Sequence, residues 1–247
     1  MLIDYDHKQN VHTVQGAAAT LSKVFSSNLP KSLLDVGCGT GTWLRAAADM
    51  GILSVVGVDG IVVADNQLHV PRSNVRQCDL TAPLYLGQRF DFALCLEVAE
   101  HLPESSAATL VSSLVFHSDN VLFSAACPGQ PGQHHINCQW PGYWQHLFNN
   151  HGFVCDDSIR WQIWEDLRIE PWYRQNIFCA RRDPLRAGEE ARLRSVIHPE
   201  LFEDLSRTLN AKAVDKQLQS ISAGSMPLTW YLTVSMRAVF AKVARHA

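Results

Sequence analysis

Three glycines at alternate positions, Gly37, Gly39 and Gly41, stand in the stretch "SLLDVGCGTGTWL" two residues after Asp35. Glycines so spaced carry a high cost in backbone entropy and mark a turn where a ligand approaches the main chain closely, with the helix that follows offering its N-terminal N–H groups. The order is G-x-G-x-G, not the G-x-G-x-x-G that cradles the pyrophosphate of a dinucleotide. A carboxylate at Asp35 would repel a pyrophosphate but suits a zwitterionic ligand with a cationic amino-acid part. Asp59 ends "VVGVDG" eighteen residues after Gly41, near the distance at which an acidic side chain accepts from both ribose hydroxyls. Asp79 closes the next apolar segment in "QCDL".

Short apolar segments carry these residues: 32–36, 53–59, 74–80, 90–96, 120–126, 153–159 and 176–182, with helix-compatible stretches at 42–50, 104–116 and 140–150. Buried strands alternating with helices predict a mostly parallel sheet covered on both faces, with ligands at the carboxyl ends of the strands. The last two strands, with little helix between them, predict an antiparallel finish. Residues 11–27 carry Val14, Ala18, Leu21 and Phe25 on one helical face. Beyond Arg182 the chain turns charged and then amphipathic, which predicts a helical appendage over 183–247. Its last stretch has aromatics and only basic charges, Arg237, Lys242 and Arg245. A terminal helix packed on the domain or pairing two copies as a homodimer is favoured over membrane-surface binding.

"LLDVGCGTG" and the strand ends that follow resemble the class I S-adenosylmethionine-dependent methyltransferases over residues 31–182. The resemblance implies a Rossmann-like α/β fold, a seven-stranded mostly parallel sheet with helices on both faces, preceded by a helical segment over 1–30 that covers the site and followed by the appendage. It implies S-adenosylmethionine as cofactor and S-adenosylhomocysteine as product. Asp35 with the backbone of Gly37, Cys38, Gly39 and Gly41 would line the methionine moiety. Asp59, beside Gly60, would take the ribose, Asp79 and Leu80 the adenine, and Leu96 and Glu97 would complete the cofactor side. Cys38 is then a small turn residue rather than a nucleophile.

"FDFALCLEVAEHLP" is similar to the E-x-x-E-H group of ubiquinone-pathway O-methyltransferases and of small-RNA 2′-O-methyltransferases, some of which hold a divalent ion there. The matching metal candidates are Glu97, Glu100, His101 and His135. Without metal, His135 or His134 in "PGQPGQHHINCQW" is the candidate general base, with His101 beside the pocket. Trp140, Tyr143, Trp144, Trp161, Trp164, Trp172 and Tyr173 crowd residues 139–175, and two or three of them are expected in the pocket. Arg160, Arg168 and Arg174 would pair with an acidic substrate or with Asp156, Asp157, Glu165 and Asp166.

The net charge of −3 gives no basic field for nucleic acid, and the seven cysteines show no C-x-x-C pair, so they read as reduced residues of a cytoplasmic protein. No apolar run reaches membrane-spanning length. The expected activity is methylation of a small polar acceptor, a saccharide or secondary-metabolite intermediate, at oxygen. N-methylation of a small molecule, metal-assisted RNA 2′-O-methylation and a non-catalytic cofactor-binding scaffold remain as alternatives.

Overall fold

The computed structural model describes residues 12–243. Its elements are α1 (Val14–Val24), β1 (Ser32–Val36), α2 (Thr42–Asp49), β2 (Ser54–Asp59), β3 (Val75–Gln77), β4 (Phe92–Leu96), α3 (Ala107–His117), β5 (Asn120–Ser124), α4 (Pro141–Asn149), β6 (Phe153–Asp156), α5 (Ser158–Ile163), α6 (Pro171–Asn176), β7 (Phe178–Arg182), α7 (Pro199–Ser222) and α8 (Leu228–Val243). The sheet order is β3-β2-β1-β4-β5-β7-β6. β1 to β5 run parallel, and β7 is antiparallel to both β5 and β6. The winding reverses between β1 and β4, so a crevice opens where their carboxyl ends diverge.

Neighbouring residues of the central strands serve opposite faces, as the two-residue pleat requires. Leu34, Cys95 and Phe123 pack with α3 and α4 through Leu110, Leu114, Trp144 and Phe148. Leu33, Leu94 and Leu122 pack with α1, α2, α5 and α6 through Leu21, Leu44, Ile163 and Tyr173. Both faces being covered explains why successive residues of "SLLDV" and "FALCL" are buried.

Several elements are shorter than their apolar runs because side chains end them. Thr13 caps α1 by accepting from the Gly16 N–H at 2.9 Å. Asp79 accepts from the Thr81 N–H at 2.9 Å and pulls the chain out of β3 in an Asx turn. Asp156 does the same with Ser158 at 2.9 Å, which ends β6 and starts α5. The short helices α5 and α6 were not evident in the aromatic-rich sequence.

The chain divides into two compact units, one reaching to Leu201 and one from Phe202 onward. Residues 183–201 therefore belong with the sheet, against the expected boundary at 183. Their charged composition hides the reason: Glu190 accepts from Gln145 (3.0 Å), Asn149 (2.7 Å) and the Cys155 N–H (3.1 Å). Burial opposes its charge, yet these donors outweigh it and bring the carboxyl down to about 2. In the second unit the Tyr231 hydroxyl donates to the Ile221 carbonyl at 3.0 Å. No described helix is long and apolar enough to cross a membrane. Residues 1–11, the start of the expected covering segment, lie outside the described residues.

Candidate active site

A cavity of about 970 Å³ opens over the ends of β1, β2 and β4, at the upper end of the roughly 300–1,000 Å³ typical of ligand sites. The glycine turn forms its floor. The N–H groups of Gly37 and Cys38 both donate to the Val58 carbonyl (2.7 and 3.1 Å), folding the turn across the end of β2. Gly37 has φ +81°, and a Cβ there would collide with Val98. Gly39 donates its N–H to Asp59 Oδ2 at 2.7 Å, while Asp59 Oδ1 accepts from Ile61 at 2.8 Å. Asp59 thus braces the turn with half of its lone pairs and keeps the rest. Asp35 is 2% exposed and its Oδ2 meets no partner, so burial, and then the charge of Asp59, push the carboxyl up to about 8. Asp79 is exposed and held below its ordinary range by its bonds to Thr81.

Of the eleven positions expected on the cofactor side, Asp35, Gly37, Cys38, Gly39, Asp59, Gly60, Asp79, Leu80, Leu96 and Glu97 line this cavity. Gly41 does not. At φ +79° it precedes α2, its N–H closes the turn on the Cys38 carbonyl, and its outer side faces Val70.

The opposite wall comes from the segments after β4 and β5. Glu100 is fully buried, neither oxygen has a hydrogen-bond partner, and burial with the charge of Glu97 raises its carboxyl well above the usual range. The rings of His101 and His135 meet edge-on at 5.0 Å. Burial, then the neighbouring imidazole of His135, push His101 down to about 4, and burial lowers His135, so both are neutral near pH 7. His135 Nδ1 lies 3.0 Å from the Gln130 carbonyl, which can only accept; Nδ1 therefore carries the proton and Nε2 is the basic nitrogen. Glu100, His101 and His135 bring one ligand atom each within 4.8 Å of one another.

Two expected members stand apart. Glu97 is not in that trio; its carboxylate accepts from Asn176 (3.1 Å) and Gln130 (2.9 Å) and lies against the Glu100 carboxyl. His134 is exposed, with φ +50°, and does not line the cavity.

Residues 6–162, well over half of the chain, match a protein family described as a methyltransferase domain. The chain belongs to this family of class I S-adenosylmethionine-dependent methyltransferases. It is 40% identical over 80 residues to the ubiquinone biosynthesis O-methyltransferase of Coxiella burnetii, covering 30% of this chain and 34% of that protein. The enzyme of the same name from Pseudomonas fluorescens is 38% identical over 84 residues, 31% of this chain and 36% of that protein. The chain thus matches only about a third of the length of these curated relatives. Among solved structures, the magnesium protoporphyrin IX methyltransferase of Synechocystis with bound S-adenosylhomocysteine shares the fold at a TM-score of 0.50 and 22% identity, covering 68% of this chain and 83% of that one.

In this methyltransferase the sequence did not flag Trp43, Gln130 or Asn176. Trp43 and Tyr173 meet edge-on at 5.0 Å, with the indole N–H donating to the Tyr173 hydroxyl at 3.3 Å, and both line the cavity. Of the seven crowded aromatics, Trp172 and Tyr173 reach the lining; Trp144 fills the core. The arginines serve the scaffold: Arg160 pairs with Asp157 (2.8 Å), Arg168 with Asp166, and Arg174 with Glu200 (2.7 Å).

Proposed function

We propose that this methyltransferase moves the methyl group of S-adenosylmethionine to an oxygen of a small polar acceptor, a saccharide or secondary-metabolite intermediate. The observation that carries the reading is the neutral His135, its Nε2 free to accept, on the wall opposite the glycine turn. The orphaned, buried Asp35 Oδ2 fits the ammonium of an amino-acid cofactor, and the lone pairs left on Asp59 fit ribose hydroxyls. Gly37, Cys38, Gly39 and Gly60 would provide close backbone approach, with Asp79 and Leu80 at the adenine end and Leu96 between the two halves. When bound, the donor supplies an electrophilic methyl on its sulfonium. The chain's own part is to hold the acceptor in line, to exclude water and to take the hydroxyl proton on His135 Nε2. N-methylation needs no such base. RNA would meet, among the described residues, no lysine or arginine in the lining to neutralise its phosphates.

A second reading adds a divalent cation. A glutamate with two neutral imidazoles is a donor set of intermediate softness, suited to Mn²⁺ or Zn²⁺ as well as Mg²⁺, and the two unpartnered oxygens of Glu100 support it. Such an ion would polarise the acceptor hydroxyl. The test incubates the protein with methyl-deuterated S-adenosylmethionine and a small-molecule extract, with and without chelator, alongside calorimetry with MnCl₂. Label that survives chelation, together with no Mn²⁺ uptake, removes the metal. Tight S-adenosylhomocysteine binding with no label in either arm favours a scaffold.

A further inference from the structure

Glu97 occupies a position that a carboxylate holds only under constraint. It sits one residue past β4 in left-handed backbone, φ +54°, a conformation that costs a non-glycine residue about 1–2 kcal/mol. Strain of this kind persists where the surroundings impose it and gathers at functional sites. Here the Glu97 N–H donates to the Ser124 carbonyl (3.0 Å) and hydroxyl (3.1 Å). Asn176 reaches both carboxylate oxygens (3.1 and 3.3 Å), and Gln130 reaches Oε2 (2.9 Å). These amides are themselves fixed: Asn176 donates to Gln130 Oε1 at 2.9 Å, and Gln175 donates to Asn176 Oδ1 at 3.0 Å. Asn176 and Gln175 are 3% and 2% exposed. The end of β4, the loop after β5 and the last turn of α6 therefore converge on one carboxylate, which still lines the cavity.

The groups around it offer an anion no fixed positive charge. Asp35, Asp59, Asp79, Glu97 and Glu100 line the cavity, and among the described residues no lysine or arginine does. A carboxylate or phosphate brought into such a wall loses its hydration and gains no counter-charge. The cationic groups of the donor lie in the proposed cofactor half, and at the acceptor end Glu97 is the acid whose carboxylate is held in place by donors.

We propose that Glu97 is the acceptor-docking residue: the lone pair left on Oε1 takes an N–H or O–H of the acceptor, and the wall admits neutral or cationic acceptors while turning anionic ones away. This rests on the reading as a methyltransferase of small polar molecules.

The test separates the small molecules of a cell extract on ion exchangers into anionic, neutral and cationic pools. Each pool is incubated with methyl-deuterated S-adenosylmethionine and either the wild-type chain or Glu97→Gln. Label is expected in the neutral or cationic pool, falling about tenfold or more in Glu97→Gln, with S-adenosylhomocysteine affinity unchanged by calorimetry. Label chiefly in the anionic pool overturns the proposal, as does a Glu97→Gln enzyme that transfers at the wild-type rate. Loss of S-adenosylhomocysteine affinity in step with transfer also overturns it, making Glu97 a cofactor residue. No label from any pool, with the donor bound, refutes the small-acceptor reading itself and takes this inference with it. If Glu97→Gln melts early, the pool distribution for the wild-type chain decides.

Discussion

The two walls of the cavity are built in different ways. The wall proposed for the cofactor is made of backbone and strand ends close in sequence: the turn after β1 and the ends of β2 and β3, tied by Asp59 to Gly39 over twenty residues. The wall proposed for the acceptor is made of side chains gathered from far apart, with Asn176 reaching Glu97 across 79 residues. A wall of backbone tolerates changes in side chains that do not face the ligand, whereas a wall of buried side chains fails when any supporting segment moves. The difference suits a fixed cofactor and a variable acceptor, and it predicts which substitutions separate donor binding from transfer.

The largest effect is expected at Gly37→Ala. Left-handed backbone and collision with Val98 should together cost about 2–5 kcal/mol. Denaturant melts and calorimetry should show lost stability and lost S-adenosylmethionine binding together. A variant that binds normally would break the claim that this wall is backbone-made.

Gly132→Ala should strike the other wall alone. Its backbone is not left-handed, but the new Cβ would run into the His135 ring. Moving that imidazole should lower transfer about a hundredfold while leaving S-adenosylhomocysteine affinity unchanged. Equal losses in both would erase the distinction between the walls.

The Asp35 carboxyl, ordinarily near 3.8 and raised to about 8, sharpens the account of the cofactor wall. Between those values the donor-free folded protein binds more protons than the unfolded chain, so its stability falls as pH rises through that window. Binding an ammonium favours the ionised form, so S-adenosylmethionine affinity should climb by up to about tenfold per pH unit from about pH 6 and level off above about pH 8. Calorimetry across this range should find Asp35→Asn nearly flat; an unaltered slope would exclude Asp35 as its source.

The smallest effect belongs to Tyr173→Phe. It removes the hydroxyl that accepts from the Trp43 indole, a loss of about 0.5–1.5 kcal/mol in a thermal melt. The variant should retain donor affinity.

The cofactor wall was legible because its residues are spaced by local geometry. Alternating glycines, an aspartate two residues before them and acids at successive strand ends leave a pattern in sequence. Ten of the eleven expected cofactor positions line the cavity, Glu97 among them on the other wall, and the exception, Gly41, closes the turn instead. The acceptor wall was legible only in part. Glu100, His101 and His135 were identified and do converge, but His134 was indistinguishable from His135 by type or spacing.

The sequence by itself determined the seven-strand alternation and the glycine turn with its aspartates, because hydrophobic period and backbone freedom act over a few residues. The tertiary structure alone decided that residues 183–201 pack with the sheet, that Glu97 accepts from Asn176 and Gln130, and that His135 rather than His134 faces the cavity. Those outcomes depend on which buried donors and acceptors meet across the fold.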